Sequence, residues 1–269
     1  MTGSATPDQE QVAKLNTNVP HSARVWNYWL GGKDNFAADR QVGDQVRAVF
    51  PGIVDNARAT RAFLVRAVRY LAGEAMIRQF LDIGTGLPTA DNTHEVAQRV
   101  DPRSRVVYVD NDPLVLAHAR ALLVGSPEGA TDYLDADVHD PDTILHEAAR
   151  TLDFTQPVAV MMLGILGFVG SYAEARSIVT RLLEGVPSGS YLVIADGTNT
   201  SGEIVEAARV SNAGGHHYTL RSPQEIAGFF AGLEVVEPGV VSVSRWRPEP
   251  GPSGVPAELH GFCGIARKP

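Results

Sequence analysis

The sequence has almost no cysteine and no long apolar run. Its 269 residues include one cysteine, Cys263, which excludes an internal disulfide and fits a reducing compartment. No apolar run approaches the roughly 18 residues that a membrane-spanning helix needs, and the polar N-terminus does not resemble a signal peptide. These absences predict a cytoplasmic protein without a membrane segment.

Basic residues are also in short supply. There are 23 Lys and Arg against 31 Asp and Glu, for a formal net charge of −8. A nucleic-acid surface needs clustered Lys and Arg to neutralise phosphates, so this composition disfavours nucleic acid as a partner. Arginines do recur on a helix predicted over residues 56–71, but Arg58, Arg61, Arg66 and Arg69 are expected to lie on its solvated faces.

A third glycine is missing from the most informative motif. The stretch FLDIGTGLPT, residues 80–89, predicts a buried strand and a turn in which Gly84 and Gly86 let the backbone approach a ligand. The dinucleotide fingerprint has a third glycine, with a helix directly behind it to bind a pyrophosphate. Here the helix is predicted to begin later, where Asn92 and Glu95 have capping-box spacing. The motif therefore disfavours a nicotinamide oxidoreductase.

Three acidic residues stand at the ends of three predicted strands. Asp82 precedes the glycines, Asp110 is placed to accept hydrogen bonds from a ribose diol, and Asp137 can accept from an adenine amino group. An acid in a partly desolvated turn repels a diphosphate and suits a cation. S-adenosylmethionine offers an adenosine, a sulfonium and an ammonium group, and is the predicted cofactor. The residues predicted to bind it are Asp82, Gly84, Gly86, Asp110, Asn111, Asp137, Val138 and Gly164.

This ordered set resembles the class I S-adenosylmethionine-dependent methyltransferases. Longer segments resemble a narrower actinobacterial family, the "S-adenosyl methyltransferase" family once classed as a domain of unknown function. They are PHSARVWNYWLGGKDNFAADR (20–40), FLDIGTGLPT (80–89), NTHEVAQ (92–98), RVVYVDNDP (105–113) and EPGVV (237–241). The resemblance covers nearly the whole chain from residue 20, and implies the fold and cofactor but no substrate.

Alternating strand and helix patterns predict an α/β fold, a Rossmann-like doubly wound sheet of seven strands. The resemblance implies the order 3-2-1-4-5-7-6 with the last strand antiparallel. Strands are predicted at 77–83, 106–109, 131–136, 158–163, 191–195, 233–243 and 262–267, and helices at 93–100, 113–124, 141–152, 172–184 and 223–231. We expect a disordered tail over residues 1–19 and one domain over 20–269, as a monomer or homodimer.

The segment over residues 20–55 is predicted to be a helical lid. Its apolar run VWNYWL must be covered, and ligands in open α/β folds bind at the carboxyl ends of the strands. The lid interpretation places Tyr28, Lys33, Asp34 or Asn35 in the site. The alternative is a helix that only packs on the domain.

Catalytic candidates follow the later strands. Asp196 is predicted as a general base or substrate ligand, with a loop residue bonded to backbone N–H groups as the alternative. His217, beside His216 in a glycine-containing loop, is a second candidate base or a solvated loop histidine, and Tyr28 is the third candidate. GILGFVG, residues 164–170, has no polar side chain, which disfavours a nucleic-acid base as acceptor and predicts no metal.

The predicted function is S-adenosylmethionine-dependent methyl transfer to the oxygen or nitrogen of an unidentified small molecule. Ile165, Leu166 and Phe168 are expected to form the apolar floor of its pocket. The alternative is a sensor or partner-binding module that binds S-adenosylmethionine or S-adenosylhomocysteine without turnover.

Overall fold

A computed structural model describes residues 16–122, 125–249 and 254–269. The helices are α1 (Ser22–Trp29), α2 (Ala37–Val49), α3 (Ile53–Gly73), α4 (Thr93–Val100), α5 (Pro113–Leu122), α6 (Pro141–Ala148), α7 (Tyr172–Glu184), α8 (Gly202–Ala213) and α9 (Pro223–Gly228), with a 3-10 turn at Leu166–Phe168. The strands are β1 (Gln79–Ile83), β2 (Arg105–Asp110), β3 (Ala130–Asp135), β4 (Ala159–Leu163), β5 (Tyr191–Gly197), β6 (Glu234–Val235), β7 (Val241–Ser242) and β8 (Gly261–Arg267).

The sheet confirms the predicted fold class, with one difference in its strands. Its order is β3-β2-β1-β4-β5-β8-β6, and β7 also pairs with β8. Strands β1 to β5 are parallel, and β8 is antiparallel to β5. The strand predicted at 233–243 is two short strands separated by a turn at Pro238 and Gly239, where proline cannot donate to a ladder. The described residues therefore form eight strands instead of seven.

Both faces of the sheet are buried, because alternate side chains of each strand point to opposite layers. Leu81 and Ile83 of β1 belong to the apolar cluster that includes Ile178 of α7. Phe80, the residue before Leu81, points to the opposite face and belongs to the cluster that includes Phe63 of α3. Each of these large side chains stabilises the fold by about 1.5–3 kcal/mol through burial. The carboxyl ends of the strands are thereby held on a rigid base.

Helix α3 is covered more extensively than its arginine pattern predicts. Arg58 and Arg69 are exposed as expected, whereas Arg61 and Arg66 are half-buried, so the expectation of solvated faces is wrong for these two. The Arg66 Nε donates to the carbonyl of Trp246 at 2.8 Å. The chain between β7 and β8 therefore folds back over the helix and encloses a side chain that would otherwise be solvated.

The N-terminal helices pack above the carboxyl end of the sheet. Helix α2 packs on α8, and a separate apolar cluster joins the two with α1 and the start of α3. Its buried members include Val25, Val42, Val46, Ile53 and Ile204. This packing covers the apolar run VWNYWL and places the N-terminal segment at the end of the sheet where ligands of such folds bind.

Two predicted segments extend beyond the described residues. Most of the tail predicted over residues 1–19, and the last two residues of the helix predicted at 113–124, lie outside the described residues. Within the described ranges, no helix is long and apolar enough to cross a lipid bilayer. Cys263 is buried in β8, where burial raises the pKa of its thiol.

Candidate active site

A cavity of about 380 Å³ lies at the carboxyl ends of the parallel strands. Ligands of open α/β folds bind at this edge, and this volume is typical of small-molecule pockets. All eight residues predicted to bind the cofactor line it, as do Asp196 and His217. The shared strand ends bring together Asp82 of β1 and Asp196 of β5, which are 114 positions apart in the sequence.

The N-terminal segment roofs this cavity, but with different residues from those predicted. Tyr28, Lys33, Asp34 and Asn35 do not line it, and the Tyr28 hydroxyl donates instead to the Asp44 carboxylate at 2.6 Å. Helical periodicity explains the difference, because one face of α1 points to the cavity while Tyr28 lies on another face, towards α2. The lining residues are Pro20, His21, Ser22, Ala23, Trp26 and Trp29.

The turn after β1 needs glycine at two positions. Gly84 and Gly86 have φ angles of +75° and +68°, in the left-handed region that side chains disfavour. A Cβ on Gly84 would also lie 2.8 Å from the Ile165 side chain. The Gly84 N–H donates to the carbonyl of Val109 at 2.8 Å, which ties the turn to β2. A ligand can therefore approach the backbone of this turn closely.

The cavity residues predicted to bind the cofactor at the ends of β1, β2 and β3 are called the cradle: Asp82, Gly84, Gly86, Asp110, Asn111, Asp137 and Val138. Asp110 organises the cradle from the end of β2. Its Oδ2 accepts from the backbone N–H of Gly86 at 2.8 Å and its Oδ1 from that of Asp112 at 2.9 Å. Burial raises the pKa of Asp110, and these two backbone bonds oppose that rise. Each carboxylate oxygen keeps a further lone pair, so the group can also accept from a diol.

The neighbouring loop after β3 supplies a polar edge beside an apolar face. The Asp137 carboxylate accepts from the Asn111 side-chain amide at 3.2 Å and from the His139 backbone N–H at 2.9 Å. Burial raises the pKa of Asp137, but the His139 bonds outweigh it and the net shift is downward. Val138 is buried beside this carboxylate. The pair suits a flat heterocycle with a donor on its edge.

Asp82 is a buried carboxylate at the base of the cavity. Its Oδ2 accepts from the Thr93 hydroxyl at 2.6 Å. Burial raises the pKa of Asp82 to about 6, although the Thr93 bond and the charge of Arg61 oppose the rise. Ionisation of this group therefore costs folding free energy unless a cation lies beside it.

Replacing Asp82 with Asn is expected to stabilise the ligand-free protein above pH 6. The folded-state pKa is raised, so the acidic form contributes stability at low pH that is lost as pH rises from 3.8 through about 6. At pH 8 the raised pKa of Asp82 therefore lowers the free energy of unfolding of wild type by at most roughly 3 kcal/mol. Urea unfolding at pH 5 and pH 8 samples the last unit of this titration, so about 1.4 kcal/mol of the gain should appear between these two pH values.

The exposed Asp135→Asn variant is the control for this comparison. Other buried carboxylates remain in all the proteins, so their contributions cancel in the difference between variants. An Asp82→Asn protein that gains no stability between pH 5 and pH 8, relative to wild type, would contradict the assignment.

Asp196 lies at the end of β5, with its carboxylate on the cavity wall. Its Oδ2 accepts from the Gly167 N–H at 3.0 Å and its Oδ1 from the Gly197 N–H at 3.1 Å. Burial raises the pKa of Asp196 to about 7, against the charge of Arg221. The alternative of a loop residue bonded to backbone groups thus describes its contacts, and its position in the cavity also suits a base.

The two loop histidines differ in environment. His217 is exposed at the cavity, whereas His216 is buried, with its Nδ1 2.8 Å from the Ser211 hydroxyl. Burial lowers the pKa of His216 to about 4, so it is neutral at physiological pH. Its ring packs edge-on against Phe168 at a centroid distance of 5.3 Å. A solvated loop therefore describes His217 but not His216.

The rest of the cavity wall is largely apolar, and we call this part the apolar chamber. Ile165 and Phe168 line it as expected, whereas Leu166 is buried in the core beneath, because the 3-10 turn points its side chain into the sheet. The other apolar walls are Trp26, Trp29, Val46, Ile53, Leu64, Ile204 and Leu220.

A buried ion-pair network that sequence reasoning missed fastens the roof to the cradle. The Arg24 Nε lies 3.1 Å, and the His21 Nδ1 3.0 Å, from Oδ2 of Asp112. Asp39 accepts from the backbone N–H groups of His21 at 2.9 Å and Phe36 at 2.8 Å. The signal that could have revealed this is the pair of basic residues in PHSAR and the second acid in VDND.

In the parts of the chain that the structure describes, no group of three or more His, Cys, Asp or Glu is arranged to hold an ion.

Comparison with solved structures finds relatives over nearly the whole chain. A DUF574 family protein from Streptomyces avermitilis MA-4680 is 46% identical over 94% of this chain and 99% of its own, with a TM-score of 0.90. A Thermobifida fusca YX protein, described as a candidate methyltransferase, is 42% identical over 98% and 99% of the two chains, with a TM-score of 0.87. An S-adenosylmethionine-dependent methyltransferase from Anabaena variabilis, 12% identical over 76% of this chain and 83% of its own, has a TM-score of 0.52 and shows the fold alone.

Comparison with family models gives one match across most of the chain. A model described as S-adenosyl methyltransferase matches residues 8–269. Comparison with curated protein sequences gives no match.

Proposed function

The chain belongs to the S-adenosyl methyltransferase family. We propose that it methylates an oxygen or nitrogen of a small, largely apolar molecule. The family confirms the predicted cofactor, S-adenosylmethionine. When bound, this cofactor supplies a methyl carbon made electrophilic by its sulfonium.

The residues of the cradle fit the chemical groups of this cofactor. Asp110 has unused lone pairs for the ribose diol, and Asp137 with Val138 provides the acceptor and apolar face that an adenine needs. Asp82 is a buried carboxylate that a neighbouring cation would stabilise. Gly86 leaves open space for close approach to the backbone, whereas Gly84 accommodates the Ile165 side chain.

The apolar chamber is the observation that carries the proposal. It continues directly from the cradle, so an acceptor in it would lie beside the cofactor, as in-line transfer requires. Its walls include Trp26 and Trp29 on the roof and Ile204 on α8, which favour an apolar body. Asp196 and His217 are among the polar groups of the cavity wall, and they can orient a hydroxyl or an amine.

Asp196 is the group that we assign to proton removal from the acceptor. A carboxylate with a pKa of about 7 is matched to general-base catalysis near neutral pH. The Gly167 and Gly197 N–H groups hold its two oxygens in place without using all their lone pairs. His217 lines the same chamber but is exposed and has no comparable support.

Turnover of a panel of small phenols, hydroxylated heterocycles and amines, measured by release of S-adenosylhomocysteine, tests the proposal. We expect kcat/KM to rise with pH through about 7, as the Asp196 carboxyl loses its proton. Asp196→Asn is expected to lower kcat by about 10²- to 10⁴-fold and to flatten that limb.

The control is Asp135→Asn, an exposed acid on the same edge of the sheet. Saturable binding of S-adenosylmethionine without turnover of any acceptor would favour the non-catalytic sensor. Turnover that is unchanged in Asp196→Asn would instead remove Asp196 from the reaction and leave the methyltransferase activity standing.

A further inference from the structure

The guanidinium of Arg61 is a half-buried cation on the wall of the cavity. Arg61 lies on the stripe of α3 that faces the cavity, together with Asn56, Thr60 and Leu64. The spacing of the arginines on this helix predicts that Arg61 is solvated, whereas the fold places it on the cavity wall.

Arg61 makes few contacts for a cation in this position. Its Nη2 donates to the Ala90 carbonyl and to the Asn92 side-chain oxygen, both at 3.1 Å. Its Nε is buried without a hydrogen-bond partner. No carboxylate among the described residues lies within ion-pair distance of it. A planar group with five N–H donors is thus only partly used.

Asp82 is the complementary group across the same part of the cavity. The charge of Asp82 affects the pKa of Arg61, and the charge of Arg61 affects the pKa of Asp82. The two side chains are nevertheless too far apart to form an ion pair. Burial lowers the pKa of Arg61 and raises that of Asp82, so each side chain is left short of a counter-ion. A ligand that carries both an anion and a cation would compensate both.

We propose that Arg61 binds the α-carboxylate of the cofactor's amino-acid end, while Asp82 binds its α-ammonium. A guanidinium suits this task because its planar donors match the two oxygens of a carboxylate. The Asn92 and Ala90 contacts fix the side chain beforehand, which reduces the entropy lost on binding. This inference rests on the proposed binding of S-adenosylmethionine in the cradle.

Three ligands that differ in the amino-acid end test it by calorimetric titration. S-adenosylhomocysteine has both the carboxylate and the amine, S-adenosyl-3-thiopropylamine lacks only the carboxylate, and 5′-methylthioadenosine lacks the whole amino-acid end. The wild type is expected to bind S-adenosylhomocysteine about 10- to 100-fold more tightly than the amine analogue, the range for a charged hydrogen-bonded contact. In Arg61→Gln this preference should fall to about threefold or less, with little change for 5′-methylthioadenosine.

A matched control and a conservative variant complete the experiment. Arg69→Gln, on the exposed face of the same helix, should keep the wild-type preference. Arg61→Lys keeps the charge but loses the planar guanidinium, so it should retain part of the preference for S-adenosylhomocysteine. Thermal unfolding of each variant verifies that it is folded, and Arg61→Lys serves if Arg61→Gln does not fold.

The outcomes separate this inference from the proposed function. A wild type that binds S-adenosylhomocysteine and the amine analogue equally would overturn the role of Arg61. Equal weakening of all three ligands in Arg61→Gln would also overturn it, since Arg61 would then only support the loop at Ala90 and Asn92. Failure of wild type to bind any of the three would contradict the cofactor site itself.

Discussion

Replacing Asp110 with Ala is expected to weaken binding of S-adenosylmethionine by about 10- to 150-fold, the effect of losing hydrogen bonds to a charged group. The carboxylate has two tasks, because it is the predicted ribose acceptor and also holds the N–H groups of Gly86 and Asp112. Its removal leaves both backbone donors without a partner. Calorimetric titration with S-adenosylmethionine and S-adenosylhomocysteine measures the loss.

Two further variants separate these tasks. Asp110→Asn keeps one acceptor oxygen, so it should retain one backbone bond and part of the affinity. Asp135→Ala, at the register partner of Asp110 on β3, removes an exposed carboxylate and should bind the cofactor like wild type. A folded Asp110→Ala protein with unchanged affinity would show that the ribose is bound elsewhere.

Replacing Arg24 with Met is expected to lower the free energy of unfolding by about 3–5 kcal/mol, the cost of breaking a buried ion pair from one side. Arg24 is 4% exposed, and its side chain lies beside Asp112, with Asp39 on the other side at 3.8 Å. Methionine fills a similar volume but leaves both carboxylates without this cation. Urea unfolding at neutral pH measures the change.

Controls for this prediction lie nearby in the structure. Arg47→Met changes an exposed arginine on α2 and should have little effect on unfolding. The double variant Arg24→Met with Asp112→Asn should recover part of the loss, because it removes an uncompensated charge. Additive effects of the two changes would contradict a direct interaction between these side chains.

The same network should make stability depend on pH. Burial alone lowers the pKa of His21, but the Asp112 carboxylate outweighs it and the net shift is upward. A raised folded-state value means that the contribution of protonated His21 is present at acidic pH and lost as pH rises above about 6.5. The roof is thus held most tightly below neutral pH.

The sequence predicted which residues line the cavity at the strand ends better than which residues line its roof. Asp82 and Asp110 lie in the last two residues of β1 and β2, and Asp137 comes two residues after β3, so the geometry of a parallel sheet brings the three together. Gly84 and Gly86 mark the turn for a local reason, since their φ angles are positive. These features depend on short stretches of chain, which local patterns describe.

The remaining features depend on contacts between distant segments. Arg61 and Arg66 have the spacing of solvated residues, and only the fold shows that a cavity wall and the chain around Trp246 cover them. The sequence predicts a lid over residues 20–55, but the face that α1 presents to the cavity depends on how α2 packs on α8. Tyr28 was therefore assigned to the site although it faces Asp44.

The segment from the end of β2 to α5 restricts which insertions and deletions the chain can accept during evolution. Three successive residues make three unrelated contacts: Asp110 with Gly86, Asn111 with Asp137, and Asp112 with Arg24 of the roof. Surface loops generally accept insertions and deletions, because few contacts depend on their length. Here one inserted residue would displace at least one of the three side chains, so we expect the length of this loop to be fixed even where its flanking residues vary.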